Sequence, residues 1–160
     1  PLINGPVEFG LGTLGKTVAS KFTTKPTKLC EAGDLILCVR GSTTGKTNIA
    51  SSAYCIGRGV VSIRAKKGND QSLINISISL QRSYIFSLGT GSTFPNINFN
   101  QISNLKISFP DSLTEQKQIV QKLDLLSEKI KQLKELQISQ LSDLKRLEKS
   151  LLREAFKGEM

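Results

Sequence analysis

The 160-residue sequence contains no histidine and no tryptophan, and aromatic residues make up only 6% of it. Without histidine the chain can form neither a Ser-His-Asp nor a Cys-His triad, and it offers no imidazole ligand to a zinc ion. It also lacks a run of about eighteen apolar residues, so no membrane-spanning helix is expected. The first residues do not resemble a signal peptide. Any catalysis would therefore depend on carboxylates, lysine, cysteine or a bound cofactor.

Cysteine is scarce as well. Only Cys30, Cys38 and Cys55 occur, and no two of them have the C-x-x-C spacing of a redox or zinc motif. Each lies in or beside apolar residues, as Cys38 does within the run 35–39. Such a pattern is typical of small buried thiols in a reducing compartment. We therefore predict free, buried cysteines, a cytoplasmic protein and no metal site on this chain.

Acidic residues are rare before Pro110. The formal net charge of the chain is +9, and residues 1–110 hold twelve Lys and Arg against four Asp and Glu. Residues 111–160 hold ten basic and nine acidic residues, so the excess belongs to the first part. A domain this basic attracts polyanions, and nucleic acid is the most common such partner. The alternative is a basic surface without a polyanionic partner.

The pattern of residues before Pro110 predicts a strand-rich, mixed α+β domain. A continuous apolar run between turn residues is typical of a buried strand, and strict alternation is typical of a half-buried one. The predicted elements are a buried strand at 35–39, a polar loop at 40–47, a strand region at 54–63 broken by Gly57 and Gly59, a half-buried strand at 74–80 by period alone, a turn or short helix near Ile102, and a last strand at 105–109.

The sequence after Pro110 predicts one long helix. Ser112 and Glu115 form a capping box at its start, and Lys157-Gly158 is typical of its end. About 44 residues at 1.5 Å each make a rod of about 66 Å, too long to bury its apolar stripe against a domain of about 110 residues. A partner helix is expected, from a second copy or from a missing segment; the alternative is a solvated single helix. The expected interface residues, which shift register once, are Ile119, Leu123, Leu126, Ile130, Leu133, Leu141, Leu144 and Leu151.

Two motifs imitate catalytic sites. Residues 41–47 resemble a Walker A loop, but they have three residues between their glycines instead of four, and no helical pattern follows Lys46. A nucleotide hydrolase built on Lys46 is therefore disfavoured. Asp111 and Glu115 imitate a PD…ExK nuclease, yet both belong to one helix start, where Glu115 is explained by capping. We therefore expect no catalytic residue and no metal ligand in either motif.

The remaining polar and basic residues favour recognition of DNA. Arginine and lysine bind phosphates and guanine edges, and asparagine and serine suit base edges and the backbone. For any one residue, surface solvation or a role in a turn is an equally good explanation. The candidate DNA-binding residues are Arg40, Ser42, Thr43, Thr44, Lys46, Arg58, Arg64, Lys66, Lys67, Arg82, Ser92, Thr93 and Asn96.

Over residues 26–160, the order and spacing of several segments resemble the specificity subunit of a type I restriction–modification system. Each segment alone is a weak signal, and the residues before Pro26 match less well. The segments are Gly33 to Leu37 with Arg40-Gly41-Ser42 and Gly45-Lys46, then Gly91-Ser92-Thr93 with Asn96-Ile97, then Leu105 to Pro110 running into Glu115 to Val120, and finally Leu151 to Glu159.

The resemblance implies that residues 1–110 are a target recognition domain and residues 111–157 a helical region that pairs in an antiparallel coiled coil. It also implies that 73–88 is helical despite its period of two. Family members usually carry two of each unit, so that two recognition domains read two half-sites. This chain would be either a half-length subunit that dimerises or the C-terminal half of a longer one, lacking residues before Pro1.

By the same resemblance, the chain is a DNA-recognition subunit with no catalytic residues of its own. Its expected partners are double-stranded DNA, methyltransferase subunits and, in the full complex, a restriction subunit. S-adenosylmethionine, ATP and Mg²⁺ would be bound by those partner subunits, and this chain would bind no cofactor. The alternative is a non-catalytic coiled-coil adaptor whose basic domain binds protein.

Overall fold

A computed structural model of the chain describes residues 1–90 and 95–158, and it divides into two compact units, Pro1–Lys117 and a second that begins at Gln118. Ser92 and Thr93, two of the predicted DNA-binding residues, lie outside the described residues. The strands are β1 Leu2–Ile3, β2 Leu29–Cys30, β3 Leu35–Cys38, β4 Thr47–Ile49, β5 Tyr54–Ile56 and β6 Val60–Ile63. The helices are α1 Gln71–Leu80, α2 Arg82–Ser87, α3 Phe99–Ser103 and α4 Leu113–Lys157.

The strands form two three-stranded sheets. The first has the order β1-β5-β2, with β1 parallel to β5 and β2 antiparallel to it. The second has the order β4-β3-β6 and is antiparallel throughout. The predicted strand region 54–63 is therefore two strands in different sheets, which separate at the predicted break between Gly57 and Gly59.

Strand β3 is the centre of the core, and the predicted buried strand is confirmed. Successive side chains of a strand point to opposite faces. Accordingly, Ile36 and Cys38 join a core cluster with residues of the first sheet, whereas Leu35 and Leu37 pack with α1 and α2 on the other face. An apolar side chain is needed at every position of β3 because both faces are covered.

The three cysteines are buried and free, as predicted. Burial raises the pKa of the Cys38 thiol to about 11, and it raises that of Cys30 as well. Both groups are therefore protonated at neutral pH. They pack as small hydrophobic side chains.

Helices α1 and α2, separated at Gln81, occupy most of 73–88, which confirms the helix that the resemblance implies and overturns the half-buried strand that the alternation of 74–80 predicts. Asp70 caps α1 by accepting a hydrogen bond from the Leu73 N–H at 3.0 Å. The residues of α1 that are buried include Leu73, Ile74 and Ile78, which recur at helical spacing. Burial on one face, and not alternation along the chain, decides the element.

The predicted short helix near Ile102 is confirmed as α3, but the predicted strand at 105–109 is wrong. Residues 105–110 have no regular structure. Leu105 and Ile107 do pack against the core, while Lys106 and Ser108 are exposed. The alternation is thus real, but no neighbouring strand among the described residues pairs with the segment.

Helix α4 begins and ends where the sequence indicates. The Ser112 hydroxyl accepts a hydrogen bond from the Glu115 N–H at 3.5 Å, and Gly158 follows the helix with a φ of +73°. The 45 residues of α4 correspond to about 68 Å at 1.5 Å per residue. No helix in the described ranges is long and apolar enough to cross a membrane.

The Gln116 side chain links the first turn of α4 to the rest of the globular unit by hydrogen bonds. The sequence did not reveal this contact. Its side chain is fully buried, accepts a hydrogen bond from the Asp70 N–H at 2.7 Å, and donates one to the Pro110 carbonyl at 2.7 Å. A buried amide is tolerated only when its hydrogen bonds are made. The start of α4 is therefore tied to the residue that caps α1.

Candidate functional site

Two polar segments that are far apart in the sequence lie side by side in the fold. The Gly41 N–H donates to the Pro95 carbonyl at 3.1 Å, and the Ile97 N–H donates to the Val39 carbonyl at 2.9 Å. Arg40 and Asn96 pair as an isolated antiparallel bridge. The loop 40–46 and the residues at 95–97 therefore form one polar surface.

Glycine sets the shape of the loop 40–46. Gly41 and Gly45 have positive φ angles of 78° and 85°, which side chains rarely tolerate. A Cβ atom on Gly45 would also lie 2.9 Å from the Arg82 carbonyl oxygen. The missing side chain lets the start of α2 approach the loop, and so brings Arg82 beside Lys46, with which it lines one cavity.

Strand pairing separates the candidate residues into two groups. Val60 lies beside Cys38 and Ile63 beside Leu35, so β6 runs opposite to β3. We call the end of this sheet that carries the loop 40–46 the loop end, and the other the far end. The candidates at the loop end are Arg40, Ser42, Thr43, Thr44, Lys46, Arg58, Arg82 and Asn96, and those that follow β6 at the far end are Arg64, Lys66 and Lys67.

Most side chains of the loop end are accessible. Arg40, Ser42, Lys46, Arg58, Arg82 and Asn96 are all exposed, and Thr43 is half-buried. Thr44 differs from the rest: it is buried, and its hydroxyl donates a hydrogen bond to the Pro95 carbonyl at 2.9 Å. Its side chain therefore holds the two segments together and is turned away from solvent.

Arg64 at the far end is held by two acidic residues. Its Nε and Nη2 donate to the Asp34 carboxylate at 2.7 Å each, and its Nη1 lies 2.6 Å from Glu31 Oε1. These bonds raise the pKa of Arg64. Burial alone would raise the pKa of Asp34, but hydrogen bonds from Arg64, the Glu31 N–H and Ser62 hold it below its ordinary value. The charge of Arg64 is thus balanced within the chain.

The four acidic residues before Pro110 are all engaged by groups other than the cations of the loop end. Glu31 and Asp34 bind Arg64, and Asp70 caps α1. Glu8 is buried and lies 3.4 Å from Lys21 Nζ. Burial opposes ionisation of Glu8, yet hydrogen bonds from Ser20 and from the Asn4 and Gly5 N–H groups, together with the Lys21 charge, lower its pKa. Among the described residues, no Asp or Glu forms an ion pair with a cation of the loop end.

Three cavities at the loop end include basic or polar residues in their lining, beside apolar ones. Arg40, Arg58 and Lys28 line one, Lys46 and Arg82 line a second, and Ser42 and Arg82 line a third. No Asp or Glu lines any of these three cavities in the described part of the chain. Positive charge that is not locally balanced suits the phosphates of a polyanion.

Lys28 is a loop-end residue that the sequence analysis missed. In the sequence it is recognisable only as one of the basic residues before Pro110, because no motif surrounds it. Pairing of β2 with β5 brings Cys30 beside Tyr54, and the Ile56 N–H donates to the Lys28 carbonyl at 2.9 Å. This pairing places Lys28 near Arg58, and only long-range strand contacts could have revealed it.

The Walker-like loop lacks the context of a nucleotide site. Gly41–Thr43 forms a single 3₁₀ turn, and Thr47 begins β4 instead of a helix. A phosphate-binding loop of this class presents its ligand to a helix N-terminus. The interpretation of residues 41–47 as a recognition loop, and not as a hydrolase motif, agrees with this geometry.

Residues 4–141 match the family model for the type I restriction modification DNA specificity domain. A curated type I restriction enzyme MjaX specificity subunit of Methanocaldococcus jannaschii is 31% identical over 131 residues, which cover 81% of this chain and 30% of that protein.

Two solved structures are similar over the whole chain. The HsdS subunit from Thermoanaerobacter tengcongensis has a TM-score of 0.77 at 28% identity, with 38% of its length covered. A chain from a structure on complex assembly and conformational transition of the type I R-M system has a TM-score of 0.76 at 29% identity, with 39% covered. The chain thus spans about a third of the curated relative and about two fifths of each solved chain.

Proposed function

This chain belongs to the family of type I restriction modification DNA specificity domains, and from that membership we propose that its globular unit reads one half of a bipartite double-stranded DNA target. The recognition surface is the loop end, and its function is to direct a type I restriction–modification complex to that sequence. The chain performs no chemistry of its own. S-adenosylmethionine, ATP and Mg²⁺ belong to methyltransferase and restriction subunits, and a cytoplasmic location stays a prediction.

One observation carries this proposal, namely the cluster of unpaired cations at the loop end. Lys28, Arg40, Lys46, Arg58 and Arg82 line its cavities, with no Asp or Glu among the described residues that line them. Phosphate contacts supply affinity and register on DNA, and neighbouring amide and hydroxyl groups can read base edges. Ser42 and Asn96 are exposed polar side chains of the same surface. Charge and potential base readers therefore occur together.

For α4 we propose a role as spacer and assembly arm. Several apolar side chains of its stripe are more than half exposed in the single chain, among them Leu126, Ile130 and Leu133. Apolar side chains repeating at three- and four-residue steps pack against a second helix. The second helix would be antiparallel and would come from a second copy or from the other part of a longer subunit, and the pair would also hold the methyltransferase subunits.

The proposal is tested by removing charge from one end of the sheet at a time. We expect Lys46→Gln with Arg82→Gln to weaken duplex binding and to lower the slope of log affinity against log salt by about 1–2, since each phosphate that loses its cationic partner contributes about 0.9. Fluorescence anisotropy on a labelled duplex between 50 and about 300 mM salt measures both quantities. The matched control is Lys66→Gln with Lys67→Gln, which removes the same charge at the far end and should change the slope by less than about half as much.

Equal losses from the two pairs would show that net charge, and not the loop end, attracts DNA. No binding by the wild-type chain, alone or with its methyltransferase subunits, would favour the protein-binding adaptor. Half-site reading is tested in the same variants by coexpression with the methyltransferase subunit and mapping of methylated adenines. The loop-end pair should lose methylation at the bipartite target, whereas the far-end pair should retain it.

A further inference from the structure

The segment Gly10–Lys16 has a structural role that its sequence alone does not explain. Its three glycines are spaced as in a dinucleotide-binding loop, but Lys16 leads into an isolated bridge with Ile49 and not into a helix. The glycines instead allow a tight return of the chain. A Cβ atom on Gly10 would lie 2.3 Å from the Lys16 carbonyl oxygen, and one on Gly15 would lie 2.2 Å from that of Leu11.

The loop is held at both ends and open at its tip. Asn48 accepts a hydrogen bond from the Gly10 N–H at 3.3 Å, and Thr47 donates its hydroxyl to the Thr13 carbonyl at 2.9 Å. Leu11, Gly12 and Thr13 are exposed, and Gly12 has a φ of +84°. Within residues 1–90 and 95–158, no hydrogen bond engages the N–H groups of these three residues.

The open tip lies beside two cations of the loop end. Residues 10–13 line a cavity of about 360 Å³ together with Lys46 and Arg82. Successive backbone N–H groups around a left-handed residue form a concavity that binds anions. Neither basic side chain has an acidic partner among the described residues. The described lining of the cavity thus includes three residues whose N–H groups make no hydrogen bond and two cations without an ion-pair partner.

We propose that residues 11–13, Lys46 and Arg82 form a clamp for one phosphodiester group of the DNA backbone. The inference rests on the proposed function and extends it to an N-terminal segment outside the predicted recognition residues. The bound group is a backbone phosphate because the cavity is open and is shared with the loop end. Backbone N–H donors carry no sequence information, so the clamp sets the register of the domain on the duplex.

A negative charge at Gly12 tests the clamp. Gly12→Asp should weaken duplex binding about tenfold, because a carboxylate would face the phosphate. Gly12→Asn is the matched control, with the same shape and the same tolerance of positive φ, and it should stay within about threefold of wild type. A Cβ atom at Gly12 meets nothing within 4 Å, and the positive φ strains Asp and Asn alike, so the two variants should have equal melting temperatures, somewhat below that of the wild type.

A second control places the same charge at the far end. Gly68 also has a positive φ, of 94°, and open space around its Cβ position, so Gly68→Asp repeats the substitution away from the clamp. It should weaken binding less than Gly12→Asp. If the wild type binds DNA and Gly12→Asp equals Gly12→Asn or Gly68→Asp, the clamp is wrong while the proposed function stands. If the wild type binds no DNA, the proposed function fails first, and the clamp fails with it.

A free anion is distinguished from DNA by titration calorimetry with inorganic phosphate and with ATP. The clamp predicts no binding of either at concentrations below about 1 mM, since a single phosphate group makes few contacts. Tight binding of either ligand to the wild type that is lost in Gly12→Asp would overturn the assignment to DNA and would indicate a small-anion site instead.

Discussion

The globular unit buries many of its apolar side chains, whereas the long helix exposes most of its own. In the globular unit, apolar residues such as Leu35 and Ile85 are fully buried, and no buried side-chain polar atom among the described residues lacks a hydrogen bond. In α4 beyond Gln118, the leucines and isoleucines are largely exposed. The first region has a packed core, whereas the second exposes an apolar stripe, for which we propose a partner helix.

The two regions also differ in net charge. Residues 1–110 carry a net +8 and residues 111–160 a net +1. In the globular unit the acidic residues bind other partners, and no loop-end cation forms an ion pair in the described part of the chain. In α4, acidic and basic residues are interspersed in nearly equal numbers, as is typical of a solvated helix face. The difference fits the proposed function, in which the first region binds DNA and the second binds protein.

The largest effect is expected from disrupting the apolar surface of the helix. Leu126→Asp with Ile130→Asp places two carboxylates on the stripe and should abolish self-association or assembly with the methyltransferase subunits, because buried unpaired charge is costly. Sedimentation equilibrium of the chain, alone and with those subunits, measures the mass. The affinity of the chain for DNA, measured without the methyltransferase subunits, should change little.

The control for that pair adds the same charge to the opposite face. Gln121 and Gln132 lie about 120–140° around the helix from Leu126, at 100° per residue. Gln121→Asp with Gln132→Asp should therefore leave the assembled mass unchanged. An unchanged mass for the stripe pair as well would show that α4 does not act as an assembly arm.

A smaller effect is expected where the two regions are joined. Gln116→Ala should lower the free energy of unfolding of the globular unit by about 2–3 kcal/mol, because the Asp70 N–H and the Pro110 carbonyl each lose a buried partner. Urea denaturation followed by circular dichroism measures the change. Gln118→Ala truncates an exposed glutamine two residues later and should cost less than about 0.5 kcal/mol. Equal costs would mean that the bonds of Gln116 contribute nothing to stability.

The smallest effect on stability is expected when the pH is lowered. The Asp34 carboxyl has a folded-state pKa below its ordinary value of 3.8, so the unfolded chain binds more protons as the pH falls. The stabilisation is complete above that ordinary value and is lost as the pH drops through it toward the lower folded-state pKa. Urea midpoints measured from pH 6 to pH 3 should fall, and less steeply in Asp34→Asn. An identical slope in that variant would contradict the role given to the Arg64 pair.

Much of the fold follows from local patterns. The buried strand at 35–39, the burial of the cysteines and both ends of α4 were predicted correctly because each depends on neighbouring residues. Alternation alone predicts strands at 74–80 and 105–109, and both of these predictions are wrong because alternation does not supply a paired strand; the helix at 73–88 that the resemblance implies is the correct prediction. The first packs as helix α1 on the sheet, and the second packs its apolar side chains on the core without a partner strand.

The candidate site was predictable only in part. The loop 40–46 stands out in sequence through its glycines and polar residues. Its division from the far-end residues Arg64, Lys66 and Lys67 depends on the antiparallel register of β3 and β6. Lys28 and the tip of the Gly10–Lys16 loop reach the same surface through strand pairing and cavity lining, and no local signal marks them.

By itself the sequence determined the two-part plan, the excess positive charge of the first part, and a long helix with an apolar stripe. These properties depend on composition and on residues a few positions apart. Only the tertiary structure decided which cations act together and which are neutralised, since pairing of Arg64 with Asp34 spans 30 residues and contact of Thr44 with Pro95 spans 51. Such contacts arise when distant segments bury their apolar faces together, and no local pattern encodes them.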